Sequence, residues 1–357
     1  MISLPKLVGS LAFLMGTSLA SPIVKRNGTR FDPADFVVAA VRAAPPQWSL
    51  PLINYTYGGM NLDATVAYAA DLIQQASDDG VGLLAFPELY FPGYPKYLDA
   101  NAFVPDLVDN SLSMDGPQWR QLVAAVQHAA IYVAIGFSES DGDKLYMSQA
   151  LLSPEGDVLI HRRKLRPSGG ERTIWSDGNV GGLEVVDTPY GRMGMLECWE
   201  HFHPSMTFNV QAQLEDIHIG AWPYTPNYNA TGWAYWQTAD VNLAAARTYA
   251  VNSGAVSVVP SIGKAVIFSA QGLVLTETPD AETRMSEEPF IYTSVNTTAF
   301  RRTAYNINGE ESWGTLQQIV NSFPKGNPKA QGSFVLPKEI RVDDLLKAAR
   351  NGSLYHD

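Results

Sequence analysis

The chain has 357 residues, 36 acidic against 25 basic side chains, and a formal net charge of −11 at pH 7. That balance argues against nucleic acid or an anionic membrane as the partner, because both require a basic face. A single cysteine rules out an intramolecular disulfide, so stability must come from a hydrophobic core, for which the length is ample.

Lys6, the short apolar stretch 7–17 and the small-residue site Ser18-Leu19-Ala20 read in order as a secretory signal over residues 1–20. The apolar stretch is too short to span a bilayer. Lys25-Arg26 resembles a dibasic processing site, which makes residues 21–26 a propeptide. The mature protein is expected to be secreted, with no membrane attachment once the signal is removed. Asn-x-Ser/Thr sequons occur at Asn27, Asn54, Asn229, Asn296 and Asn351. Cleavage after Arg26 would leave Asn27 at the N-terminus, so glycosylation is expected at the other four.

Phe36-Val37-Val38-Ala39-Ala40-Val41 is a continuous apolar run ended by Pro45-Pro46, and predicts a buried strand. Residues 61–76 carry Leu62, Val66, Ala69, Leu72, Ile73 and Ala76 at helical spacing, with Asn61 placed to cap the helix. A second strand, 82–86, ends at Pro87-Glu88. Residues 117–130 predict a helix with Pro117 in its first turn and Trp119, Leu122, Val123 and Val126 on one face. The strand 132–137 runs into Glu139. Segments 145–152 and 157–161 flank Ser153-Pro154-Glu155-Gly156, a hairpin signal that leads to Lys164. A strand over 193–196 precedes Cys198. A helix over 204–214, a strand over 217–221 and a helix over 233–252 closed by Ser253-Gly254 follow. Strands over 255–259, 265–268 and 290–295 complete the set. Beyond residue 303 the periodicity weakens, and 303–357 reads as an irregular C-terminal extension with one helix near 342–350. Alternating strands and helices, with some strands joined by hairpins, imply a layered α/β domain with mixed sheets over 27–302.

The chemistry gathers at strand ends, where sites form in α/β sheets. Cys198 closes the run Gly191-Arg192-Met193-Gly194-Met195-Leu196-Glu197-Cys198-Trp199-Glu200-His201. A lone cysteine is commonly a small buried hydrophobe, whereas in a secreted chain it also signals intermolecular pairing or a reactive thiol. A thiol attacks best as thiolate and so needs a base or a cation beside it. Glu88 and Lys164 supply both. Taken singly, Glu88 could be a loop carboxylate, and Lys164 could belong to an exposed basic face with Arg162, Arg163 and Arg166. His201 and His203 are close enough in sequence to suggest a metal. No cysteine or acidic cluster completes such a site, so they are read as packing or hydrogen-bonding behind the cysteine.

Three motifs resemble those of the nitrilase superfamily of carbon-nitrogen hydrolases. Phe86-Pro87-Glu88-Leu89-Tyr90-Phe91-Pro92-Gly93-Tyr94-Pro95 looks like its glutamate motif. His161-Arg162-Arg163-Lys164-Leu165-Arg166-Pro167, followed by Glu171-Arg172-Thr173, looks like its lysine motif. The stretch through Cys198-Trp199-Glu200-His201 looks like its cysteine motif, and the order matches. Cys-Trp-Glu-His with Ala221-Trp222-Pro223 downstream is similar to the nitrilase branch, especially fungal arylacetonitrilases and cyanide hydratases. The resemblance implies a four-layer αββα sandwich and hydrolysis of a small-molecule nitrile to an acid and ammonia, without cofactor or metal. It implies Cys198 as nucleophile, Glu88 as general base, and Lys164 and the Trp199 N–H as stabilisers of the intermediates. It further implies Glu139 as a second glutamate that positions Lys164. Tyr94 and Trp222 are candidate pocket residues or core aromatics. Glu197 either raises the thiol pKa by like charge or points away from the site.

The resemblance also implies a homodimer or higher homo-oligomer formed through helices, here 204–214 and 233–252, carrying Met206, Phe208, Trp233 and Trp236. Tyr305-Asn306-Ile307-Asn308-Gly309-Glu310-Glu311-Ser312 stands where the nitrilase branch has a Gly-His-Tyr-x-Arg-Pro-Asp-like stretch, so a long regular spiral is not expected. Other enzyme readings are a nitrile or cyanide hydratase that stops at the amide, and an amidase of the same fold. Outside catalysis, the chain could be a silent secreted binding protein or a dimer linked through Cys198. Retention of all three reactive residues argues against the first, and the position of Cys198 after a buried strand argues against the second.

Overall fold

The computed structural model describes residues 31–48, 57–96, 98–227, 234–278, 285–299, 313–322 and 336–354. The signal and propeptide segments, the sequons at Asn27, Asn54 and Asn229, Trp233 and the 305–312 stretch lie outside the described residues.

The elements run β1 (Phe36–Val41), α1 (Leu62–Asp78), β2 (Leu83–Ala85), α2 (Ala100–Asp109), α3 (Pro117–Ala129), β3 (Tyr132–Asp141), β4 (Lys144–Leu152) and β5 (Val158–Arg163). They continue through β6 (Val185–Thr188), β7 (Gly191–Glu197), α4 (Pro204–Gln211), β8 (Ile217–Ala221), α5 (Ala239–Ser253), β9 (Val256–Val259), β10 (Val266–Phe268), β11 (Val274–Glu277) and β12 (Phe290–Val295). Helices α6 (Thr315–Asn321) and α7 (Val342–Arg350) follow. Two six-stranded sheets result, ordered β12-β1-β2-β3-β4-β5 and β11-β10-β9-β8-β7-β6. Each has a parallel centre, β1-β2-β3 and β7-β8-β9, extended by antiparallel strands.

The period of two along a strand assigns the layers. On β1, Phe36, Val38 and Ala40 pack with Leu83, Met193, Met195, Ile217, Ile219 and Val258 between the sheets. Ala39 and Val41 face the other way, onto Leu62, Val66, Leu72 and Ile73 of α1 and Leu122 and Val126 of α3. Behind the second sheet, Ala246 and Ala250 of α5 pack on Trp222, Val259, Val266 and Cys198. The order helix, sheet, sheet, helix is the αββα sandwich. Strands buried on both faces explain why they read as unbroken apolar runs.

Several boundaries differ from expectation for identifiable reasons. Helix α4 stops at Gln211 instead of reaching 214, where Leu214 adopts φ +61°, which a helix cannot continue through. Helix α5 begins at Ala239, preceded by a 3-10 turn at Tyr235–Gln237 that leaves Trp236 half exposed. Helix α2 carries Pro105 in its interior, a residue that reads from sequence against a helix. It packs Phe103, Val104 and Leu107 against Leu345, Ala349 and Leu354, so the helix expected near 342–350 is present as α7 and belongs to a packed core.

Candidate active site

Glu88 follows β2 and Lys164 follows β5, both of the first sheet, whereas Cys198 follows β7 of the second. The site therefore lies where strand ends of the two sheets meet, and each backbone is pinned there. The Glu88 N–H donates to the Trp222 carbonyl at 3.1 Å, crossing from one sheet to the other. The Lys164 N–H donates to the Met147 carbonyl at 2.7 Å, and its own carbonyl accepts from the Gly178 N–H at 2.9 Å. Strand β3 passes directly under the Pro87-Glu88 turn. A Cβ on Gly136 would come within 2.6 Å of the Pro87 oxygen and 3.0 Å of the Glu88 Cα, so no other residue fits.

The side chains of Glu88, Lys164 and Cys198 are all buried, with at most 1% exposure. Lys164 Nζ donates to Glu88 Oε1 at 3.0 Å and to Glu171 Oε2 at 2.9 Å. Glu171 is the third residue of the 3-10 turn Gly169–Thr173, where the same Oε2 reaches back to accept the Ser168 N–H at 2.7 Å. Two carboxylates and one ammonium leave a surplus negative charge out of water, and burial penalises it. Glu88 is raised from 4.5 to about 7: burial and the nearby Glu171 push it up against the pull of Lys164. Its Oε2 is buried with no hydrogen-bond partner among the described residues. Burial works to lower the Lys164 ammonium, but Glu171 and Glu88 outweigh it and hold the group charged well above its ordinary value.

Cys198 is the first residue of a 3-10 turn, Cys198–Phe202, and has φ +34°. A non-glycine residue held there carries strain on the order of 1–3 kcal/mol, a feature that clusters at active sites. The sulfur makes no hydrogen bond with a described residue. Burial and the charge of Glu88 push the thiol up, while Lys96 and Lys164 pull it down. Glu197, directly before it, is fully buried, and burial and the charge of Glu88 push its carboxyl well above its ordinary value.

Glu139 does not hold Lys164. Among the described residues its oxygens take Ser148 Oγ, His161 Nε2 at 3.0 Å and Arg163 at 3.0 and 2.6 Å, and these bonds overcome burial to bring it to about 2. It steadies β5 through Arg163, while Glu171 grips the ammonium. Glu200 is the second residue whose role sequence reasoning missed. Its Oε1 accepts from Arg162 at 2.6 Å and from the Leu165 N–H at 3.1 Å; its Oε2 accepts the Glu197 N–H at 2.8 Å. One buried carboxylate thus ties the neighbour of Lys164 to the neighbour of Cys198. Arg162 also reaches Gln149, whose amide donates to the Leu196 carbonyl across the sheets. Both glutamates lie inside the quoted motifs, which is the signal that could have found them.

The family of carbon-nitrogen hydrolases matches residues 38–299, which contain all of these side chains. The chain belongs to the carbon-nitrogen hydrolase family. The chain is similar to several nitrilases. It is 36% identical to a nitrilase of Talaromyces marneffei over 57% of the chain and 66% of that protein. It is 35% identical to an arylacetonitrilase of Hypocrea virens over 62% and 66%, and 37% identical to a cyanide hydratase of Microdochium sorghi over 53% and 50%. The match thus spans just under two thirds of the first two relatives and half of the third. Among solved structures, a mutant of a Nesterenkonia amidase from the nitrilase superfamily has the same fold, with a TM-score of 0.58 at 15% identity over 81% of this chain and 98% of that one.

The remaining candidate residues separate. Trp222 is fully buried in the cluster that contains Cys198 and packs against His201, the two rings tilted by 31° with centroids 4.3 Å apart. Tyr94 packs edge-on to Trp175 and Phe103 in the cluster shared by α2 and α7. The ring of Trp199 packs on Phe202 and Trp236. His201 hydrogen-bonds behind the cysteine, as read from sequence, whereas His203 is exposed at the start of α4.

Proposed function

We propose that this carbon-nitrogen hydrolase is a nitrilase that converts an organic nitrile to a carboxylic acid and ammonia through a covalent cysteine intermediate. The observation that carries the reading is Glu88: a buried carboxyl at about 7 with one oxygen clamped by Lys164 and the other without a partner. A general base is most effective when its pKa lies near the working pH.

In this reading Glu88 Oε2 takes the proton of the Cys198 thiol as the sulfur bonds to the nitrile carbon, and the nitrile nitrogen is protonated to give a thioimidate. Water then adds to the C=N bond, delivering one proton through Glu88. The C–N bond breaks, ammonia leaves and a thioester remains. A second water adds, the C–S bond breaks, the acid departs and the thiol regains its proton. Lys164 and the Trp199 N–H stabilise the charge that develops on nitrogen or oxygen. Breaking the C–S bond of the first tetrahedral adduct instead would release the amide with only one water consumed; similarity to a cyanide hydratase keeps that branch as the second reading.

The purified mature protein is expected to release acid and ammonia in equal amounts from a panel of arylacetonitriles, aryl nitriles and aliphatic nitriles. Amide as the sole product would establish the hydratase reading. Ammonia from amides with none from nitriles would make the protein an amidase.

We also propose secretion as a glycoprotein that associates at least as a dimer. Asn296 and Asn351, the two described sequons, are both exposed. The apparent mass is expected to fall on enzymatic removal of N-glycans and to be unchanged by reductant. A cytosolic form retaining residues 1–20 would defeat the secretion reading, and a monomer by light scattering would defeat the association.

A further inference from the structure

From the Cys198 carbonyl a line of buried polar groups runs to α5. His201 Nδ1 lies 2.8 Å from the Cys198 carbonyl oxygen. His201 Nε2 lies 2.9 Å from His218 Nε2, and His218 Nδ1 lies 2.9 Å from Glu215 Oε2. The Tyr249 hydroxyl, from α5, donates to Glu215 Oε1. None of the four side chains is more than 8% exposed. Space is reserved for the line: a Cβ on Gly194 would fall 2.4 Å from Glu215 Oε2.

Hydrogen-bond chemistry fixes the direction of the chain. A carbonyl only accepts, so His201 Nδ1 carries a proton. Burial and His218 push His201 well below the ordinary imidazole range, so its ring is neutral and its Nε2 accepts. His218 Nε2 must therefore donate. One proton then lies between His218 Nδ1 and Glu215, and Tyr249 donates to the other carboxyl oxygen. From His218 Nε2 through His201 Nδ1 both donors point toward the cysteine carbonyl, and Glu215 anchors His218 from behind, an arrangement in which each bond polarises the next.

That carbonyl shares a peptide plane with the Trp199 N–H. In a trans peptide the C=O and N–H point in opposite directions. Holding the oxygen toward His201 aims the hydrogen away from the histidines, and Trp199, second in its 3-10 turn, has no acceptor within that turn. We propose that His201, His218, Glu215 and Tyr249 are positioning residues that lock the Cys198-Trp199 peptide and so aim the Trp199 N–H at the charge developing on the substrate. The proposal rests on the role given above to the Trp199 N–H.

The test compares His201→Phe, which keeps a flat ring but loses the donor, with His201→Asn, whose amide can donate to the same oxygen. Two readouts are needed, nitrile turnover and inhibition by phenylacetaldehyde. The aldehyde adds reversibly to a thiol: the S–C bond forms, the thiol proton moves to the carbonyl oxygen, and that oxygen occupies the place of the intermediate's. His201→Phe is expected to lower kcat about tenfold to a hundredfold, less than the roughly 10²–10³ of deleting such a donor outright. Aldehyde inhibition should weaken by a similar factor, with KM within about twofold, and His201→Asn should recover most of both. Unchanged kcat and aldehyde affinity in folded His201→Phe would overturn the proposal. So would an equal loss in both variants, the mark of a merely structural role. If His201→Phe does not fold, Tyr249→Phe removes only the far hydroxyl; a parallel several-fold fall in kcat and aldehyde affinity supports the chain, and no change in either overturns it. Protein that binds the aldehyde in a His201-dependent way but hydrolyses no nitrile would overturn the nitrilase reading and support this one.

Discussion

Cys198→Ser is expected to lose about 10⁴-fold or more in turnover while remaining folded. Serine matches cysteine in shape, so the 3-10 turn and its backbone hydrogen bonds have no reason to change. The chemistry changes because a hydroxyl is far less acidic than a thiol and oxygen is the poorer nucleophile here. The site magnifies the difference. Burial and Glu88 already push the thiol up, so the resting sulfur is protonated and depends on Glu88 to remove its proton during attack. A hydroxyl would demand far more of a base at about 7. Ammonia release measured with circular dichroism of the same sample decides the matter. A folded serine variant with wild-type turnover would exclude Cys198 as the nucleophile. Turnover reduced only in proportion to lost fold would assign the cysteine a packing role.

The sequence was most legible where one physical rule dominated. Strands β1 and β8 matched their expected limits because two-sided burial makes them short apolar runs with clear ends. Asn61 was readable because the N-cap bond to the Ala64 N–H is local. Glu88, Lys164 and Cys198 were readable as strand-end residues, and the pairing of Glu88 with Lys164 across 76 residues came from their motifs, not from spacing. What local rules cannot supply is which carboxylate a buried cation finds. Glu139 was assigned to Lys164, but successive side chains at the end of β5 diverge, so Glu139 meets Arg163 while Lys164 turns to Glu88 and Glu171. The line from Tyr249 to the Cys198 carbonyl joins α5, the turn before β8, β8 itself and the 3-10 turn after β7. No spacing along the chain marks such a line in advance.

Glu88→Gln is expected to lower kcat/KM by about 10²–10⁴, the usual worth of a positioned general base, and to abolish the acid limb of its pH dependence. The sign follows from the raised value. Below about 7 Glu88 holds a proton and cannot accept the thiol's, so wild-type kcat/KM should fall about tenfold per pH unit on the acid side. Above about 7 the carboxylate is available and the rate should level. Glutamine accepts no proton at any pH, so the variant should be slow and flat through this range. Glu139→Gln is the control: Glu139 is held to about 2, is ionised throughout, and cannot be the source of a limb near 7. Stability separates chemistry from damage. A carboxyl with a higher pKa folded than unfolded binds more protons in the folded state, so its ionisation works against folding as pH rises from about 4.5 to about 7. Replacing it with a neutral amide removes that cost, and at pH 8 the variant should melt no earlier than wild type unless Lys164 misses the charge, Glu171 remaining as its partner. A limb near 7 that survives in Glu88→Gln, or a loss of only a few-fold, would move the base to another group.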